Sequence, residues 1–192
     1  MYQTTDFRKG LKIEIEGKPW IIVDFQHVNP GKGSAFVRTR IRNLETNQTI
    51  ERTFKAGVET VGKPDMEEKE MEYNYSDIDG YNFMDQTNFE MVHLTHDQVG
   101  DNKFYLQENI RVYILYYNGR PISIELPNFI NLKVVETDPG MKGDTATGGN
   151  KKAILETGLQ VNVPLFIKEG EILKIDYMNI TEIWYLWIKN HN

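Results

Sequence analysis

The residues of this 192-residue chain best suited to chemistry are a lysine between two glycines, Pro30-Gly31-Lys32-Gly33, and three arginines behind it at alternate positions, Arg38, Arg40 and Arg42. Glycine permits positive φ and lets the backbone approach another surface closely. Lysine adds a point charge on a flexible four-carbon stem, and its amine is a common site of covalent modification. In extended chain, residues two apart share a face and lie about 6.6–6.8 Å from one another. That spacing is one a nucleic-acid backbone can use. From the residues alone two readings stand: a phosphate-gripping face with a reactive lysine at its tip, or a flexible hairpin with a solvated outer face.

The other chemistry-bearing residues give less. Of the four histidines, His27, His93, His96 and His191, only His93 and His96 have a ligand-like spacing, which would put them on one face of a helix. Two ligands without a third do not make a metal site, and a solvated or structural role is expected. No Gly-x-Ser-x-Gly elbow, phosphate-binding P-loop or His-Glu-x-x-His motif occurs. Glu67-Glu68-Lys69-Glu70 reads as a solvated charge run rather than a positioned acid–base pair. The chain has no cysteine, which removes disulfides, thiolate metal sites and cysteine nucleophiles. No autonomous enzyme activity and no metal are expected.

The elements that must carry these residues read as strands. Leu11–Ile15 and Pro19–Val28 flank a turn at Glu16-Gly17-Lys18, and the loop at 29–33 separates them from Ser34–Leu44. There Val37, Thr39 and Ile41 alternate with the arginines, so one face is for a core and the other for solvent. Thr49–Lys55 continues the pattern. Residues 1–63 therefore predict a small β-barrel. Pro64–Glu72 reads as a linker or the start of a second unit, 64–127. That unit holds a hairpin about Asp79-Gly80, one short helix within Thr87–Gln98, and a hairpin about Asn118-Gly119. Residues 128–192 hold strands at Ile130–Thr137, Gln160–Ile167 and Glu171–Asp176, with a glycine-rich loop at 138–150. Short strands with turn residues between them predict an all-β protein of several barrels.

Net charge is −6, yet it is unevenly spread: +4 over 1–63, −9 over 64–127 and −1 over 128–192. A basic unit can grip phosphates while an acidic body limits nonspecific adhesion. The first ten residues lack the apolar run of a signal peptide, and no stretch approaches the ~18 apolar residues of a membrane span. A cytoplasmic, monomeric protein without membrane contact is expected.

At the glycine–lysine loop the sequence resembles the bacterial elongation factor P family. The likeness begins in Asn29-Pro-Gly-Lys-Gly-Ser-Ala-Phe36 and Val37-Arg-Thr-Arg-Ile-Arg-Asn-Leu44, and continues in Glu51-Arg-Thr-Phe-Lys55 and Gly100-Asp-Asn102. It then runs through Gly119-Arg-Pro-Ile122, Leu126-Pro-Asn128 and Glu136-Thr-Asp-Pro-Gly-Met-Lys-Gly-Asp-Thr-Ala146, covering roughly 1–176. The resemblance implies three β-barrel domains, an SH3-like barrel and two OB-folds, in an L-shape that mimics tRNA. It implies binding to the ribosome between the peptidyl and exit sites, against ribosomal RNA, peptidyl-tRNA and mRNA, and relief of stalling at consecutive prolines.

By motif match, Lys32 would reach the peptidyl-transferase centre. A dedicated enzyme would extend it, by β-lysylation or another lysine extension, with no other cofactor. Gly100, Asp101 and Asn102 match the loop that approaches the exit-site codon. Three departures stand out: Lys103 replaces a common threonine, Lys152 a common proline, and Tyr177-Met178 the usual Thr-Arg. Met178 removes any tRNA contact from that arginine. Ile183-Trp-Tyr-Leu-Trp-Ile188 has strong β propensity and no charge. Two other classes compete: an OB-fold that binds a small ligand or sugar, indifferent to Lys32, and a carboxylate hydrolase, which no local motif supports.

Overall fold

The computed structural model describes residues 1–139 and 149–177, with the backbone of 186–187. Met178, most of the tail and 140–148 of the glycine-rich loop lie outside the described residues. Among the described residues strand is the dominant element, and no helix is long and apolar enough to cross a membrane.

The first sheet is a meander of β2 (Lys12–Ile15), β3 (Lys18–Val28), β4 (Phe36–Asn43) and β5 (Thr49–Lys55). A two-stranded ribbon of β1 (Tyr2–Gln3) and β6 (Thr60–Val61) joins β2 through a bridge between Glu14 and Gly62. Alternation in β4 is as expected. Val37, Thr39, Ile41 and Asn43 are buried, while Arg38, Arg40 and Arg42 are exposed. The inward set packs with Phe7, Leu11, Ile13, Ile22 and Phe54. That burial sets the pairing register, because a slip of one residue would turn the arginines into the core.

The second sheet has the order β11-β10-β7-β8-β9, from β7 (Met66–Ser76), β8 (Gly80–Met84), β9 (Met91–Thr95), β10 (Arg111–Tyr117) and β11 (Arg120–Glu125). Of the two readings of Pro64–Glu72, the start of the second unit is the one seen, since the segment is mostly the first half of β7. The one short helix expected within Thr87–Gln98 is α1 (His96–Val99), at the end of that stretch and directly after the strand β9. The reason is local: Asp85 Oδ1 accepts bonds from Thr87 N and Oγ1, and Phe89 takes φ 60°, so the chain doubles back into β9. Thr95 and Gln98 then form the capping box that starts α1. The Asn118-Gly119 hairpin is as expected, with φ 49° and 74° at its two turn residues.

The third sheet has the order β14-β13-β12-β15-β16, from β12 (Phe129–Thr137), β13 (Asn150–Leu155), β14 (Gln160–Pro164), β15 (Ile172–Asp176) and β16 (Leu186–Trp187). The second and third sheets share one apolar cluster, from Met71, Phe83 and Ile114 through Leu126 and Ile130 to Leu132, Leu155 and Leu173.

The first and second sheets meet at a smaller cluster of Leu44, Leu115, Tyr117 and Ile122. Around it, Tyr117 donates to Glu14 Oε2 at 2.8 Å and lies 3.0 Å from Gly17 O. Lys12 Nζ bonds Glu68 and reaches Glu125 Oε2 at 3.2 Å. Burial by itself would lower the Lys12 amine, but the bonds and charges of Glu68 and Glu125 outweigh it and raise the amine above 10.5. The contribution of a raised amine is complete at neutral pH and is lost only as pH rises past that value. A Tyr117→Phe variant is expected to lose about 1–2 kcal/mol of stability, read as a lower urea midpoint at an unchanged m-value.

Candidate nucleic-acid interface

The connection between β3 and β4 carries Lys32 at its exposed tip, with Pro30, Gly31 and Gly33 also exposed. Gly33 takes φ 113°, a conformation that side chains rarely adopt, and a Cβ on Gly31 would meet nothing within 4 Å. Among the described residues Lys32 makes no ion pair or hydrogen bond. The tip is thus a thin, exposed cationic arm.

Behind it, the arginine face differs along its length. Arg38 lies between Gln26 and Thr53, and Arg42 between Ile21 and Thr49, all without charge. Arg40 lies between Asp24 and Glu51. Asp24 is bonded to Lys9 at 3.0 Å. The Lys9 hydrogen bond and charge, then the Phe25 backbone, hold the Asp24 carboxyl below its usual value, with a smaller effect from Arg40. Arg38 and Arg42 therefore have no charged neighbour across the strands, whereas Arg40 has two. None of the three forms an ion pair within 4.0 Å among the described residues.

β4 runs away from the Lys32 tip, so Arg42 ends about 20 Å along the strand from Phe36 at ~3.3 Å per residue. There it lines a cleft of about 1240 Å³ where the three sheets meet, together with Gly100, Asp101 and Asn102. Gly100 closes α1 at φ 55°, and a Cβ there would lie 3.4 Å from Asn47 Nδ2 in the first sheet's β4–β5 turn. A 3-10 turn then spans Gly100–Tyr105. The third sheet holds this turn from the other side. Tyr177 donates from its hydroxyl to Asn102 Oδ1 at 2.7 Å, Thr157 Oγ1 donates to Phe104 O at 2.5 Å, and the Tyr105 and Tyr177 rings pack edge-to-face at 5.3 Å.

The structure thus brings Arg42 and Gly100–Asn102 into one cleft and leaves Lys32 at the far end of the first sheet. His93 and His96 do not share a helix face: His93 sits on β9, 3.1 Å from Asn82 Oδ1, and His96 opens α1, 3.3 Å from Ile78 O. No group of three potential ligands could hold a metal among the described residues. The Glu67–Glu70 run is exposed throughout, as expected of a solvated charge run, with Glu68 bonded to Lys12 and Glu70 3.4 Å from Arg111. Asn47 and Tyr177 were invisible to motif reading, because their partners lie far away in sequence.

Family models match almost the whole chain: the elongation factor P KOW-like domain over 3–59, its OB domain over 66–124 and its C-terminal domain over 123–180. The chain is 53% identical over 176 residues to elongation factor P of Bdellovibrio bacteriovorus, covering 92% of this chain and 93% of the relative. It is also 53% identical over 176 residues to elongation factor P of Moorella thermoacetica, covering 92% and 95%. A solved structure described as eukaryotic translation initiation factor 5A from Methanococcus jannaschii is similar in fold. Its TM-score is 0.51 at 18% identity, covering 66% of this chain and 90% of that one.

Proposed function

The chain belongs to the elongation factor P family, and from that premise we propose that it binds the ribosome between the peptidyl and exit sites and speeds peptide-bond formation at consecutive prolines. The observation that carries this reading is the exposed Lys32 tip continuous with the arginine face of β4. Membership makes it a translation elongation factor; the site and the substrate are the proposal.

The chemistry suits such a role. Proline is a secondary amine with a fixed φ, awkward both as a nucleophile and in the nascent chain. Holding the peptidyl-tRNA end in attack geometry removes orientational freedom before the chemical step. Lys32, extended by a lysine-modifying enzyme, would supply that hold as a long cationic arm. Arg38, Arg40 and Arg42 would take phosphates of tRNA or ribosomal RNA, and Gly100, Asp101 and Asn102 would face the exit-site codon. The factor supplies no acid, base or nucleophile of its own. Residues 1–63, 64–127 and 128–192 act as the basic head, acidic middle and tail of a cytoplasmic monomer shaped like a tRNA.

The test is a reconstituted translation system programmed with a run of prolines. Protein purified from its own host should co-sediment with ribosomes and raise the proline-run rate about tenfold or more, a barrier change of about 1.4 kcal/mol. A proline-free message should be unaffected. Equal rates with and without the protein would sink the reading.

A further inference from the structure

We propose that Lys12 and Glu14 of β2 and Tyr117 of β10 are positioning residues that lock the basic head, residues 1–63, at one angle on the second sheet, and so fix the direction in which Lys32 is presented. This rests on reading Lys32 as the residue that works on the ribosome. In β2, Ile13 and Ile15 are buried in the first core, so Lys12 and Glu14 stand on the opposite face. That face docks on the second sheet. Lys12 Nζ bonds Glu68 of β7 and reaches Glu125 Oε2 of β11 at 3.2 Å, and Glu14 Oε2 accepts from the Tyr117 hydroxyl of β10 at 2.8 Å. Alternate side chains of one strand thus hold three strands of another sheet. The two sets of partners are not interchangeable, because a shift that exchanged them would set Glu14 against the carboxylates of Glu68 and Glu125.

The connector is tied down as well. Gly62 exchanges both backbone bonds with Glu14, at 2.9 and 3.0 Å, and a Cβ on Gly62 would lie 3.0 Å from the Glu14 Cβ. Further on, Asp65 O accepts from Asn118 N of the β10–β11 turn at 3.0 Å. Only Lys63 and Pro64 lie between these anchors, and proline fixes its own φ. The buried cluster of Leu44, Leu115, Tyr117 and Ile122 holds the two units together, but apolar contact is non-directional. Units joined over a small interface move by default; here the polar rim and the anchored connector supply the direction. Burial, then the bond and charge of Glu14, raise the Tyr117 phenol above 10.0, so it remains a donor at neutral pH. Stability and direction can be separated at Lys12. Its side chain is 21% exposed, whereas Glu68 and Glu125 are about half exposed and keep water when the amine is removed. Methionine in its place should leave stability nearly unchanged while removing the directional bonds.

The chain has no cysteine, so spin labels can be placed on the full protein at Val58→Cys in the head and Ile78→Cys in the second unit, both exposed. Pulsed electron resonance then reads the distribution of distances between them, and proline-run translation is titrated with the unlabelled proteins. The parent should give one narrow distribution. Lys12→Met alone should widen it with the melting temperature nearly unmoved. Lys12→Met with Tyr117→Phe should widen it about twofold or more and raise the half-maximal concentration about fivefold, as when about one molecule in five holds the competent angle. The maximal rate should stay within twofold of the parent, because the ribosome realigns the head once it is bound. Val163→Ala, in the buried core of the third sheet, is the control: it should lower the melting temperature and leave both readings unchanged. Should the double variant fail to fold, Lys12→Met alone carries the same comparison. A distribution already broad in the parent, an unchanged width in the folded variants, or a wider one at an unchanged half-maximal concentration would overturn the proposal. So would a Val163→Ala variant that matches the double variant in translation. A parent without any effect on translation would instead defeat the functional reading, while the distances still decide whether the joint is locked.

Discussion

Replacing Lys32 with alanine is expected to reduce the proline-run rate to that measured without the factor, a loss of about tenfold to a hundredfold, or about 1.4–2.7 kcal/mol of barrier. The fold should not change, because Lys32 is exposed and contacts nothing among the described residues. A Lys32→Arg variant separates charge from chemistry. Arginine keeps the positive charge but cannot be extended through an amine. It should retain ribosome binding and its salt dependence while losing most of the stimulation. If Lys32→Arg is as active as the parent, charge alone is enough and modification is dispensable. If Lys32→Ala is fully active, the tip is a solvated hairpin and the work is done elsewhere.

The same separation of charge from geometry shows what a reader of the sequence could and could not see. Alternation of Val37, Thr39 and Ile41 with three arginines was legible because a strand has a period of two and a one-sided core enforces it. Asn118-Gly119 was legible because its turn needs two positive φ values that few residues adopt. The strand at Met91–Thr95 was hidden, since the Asp85 side chain and the backbone of Phe89 turn the chain there, and neither leaves a periodic mark. The short strand Asn150–Leu155 was hidden beside a glycine-rich loop. Pairing of Arg40 with Asp24 depends on a bulge between Ile22 and Asp24, which shifts the register of β3. Tyr177 and Asn102 stand 75 residues apart, so only the packed sheets could join them.

Unequal charge along β4 makes the arginine face a quantitative test. Each phosphate neutralised on a nucleic acid contributes about 0.7–0.9 to the slope of log affinity against log salt. Three independent contacts would give a slope change of at most about 2.7, and sharing of Arg40 with Asp24 and Glu51 brings the expectation to about 2. Replacing Arg38, Arg40 and Arg42 with serine should therefore weaken ribosome binding about a hundredfold near 0.1 M salt. The melting curve should barely move, because all three side chains point away from the buried Val37, Thr39 and Ile41. A Glu51→Gln variant should act in the opposite direction and tighten binding severalfold, since it releases Arg40 from a neighbour on β5. An inert solvated face predicts neither result. Affinity that is the same at low and high salt in the triple variant and the parent would assign the phosphate grip to other residues, leaving the arginines to keep this face of the first sheet soluble.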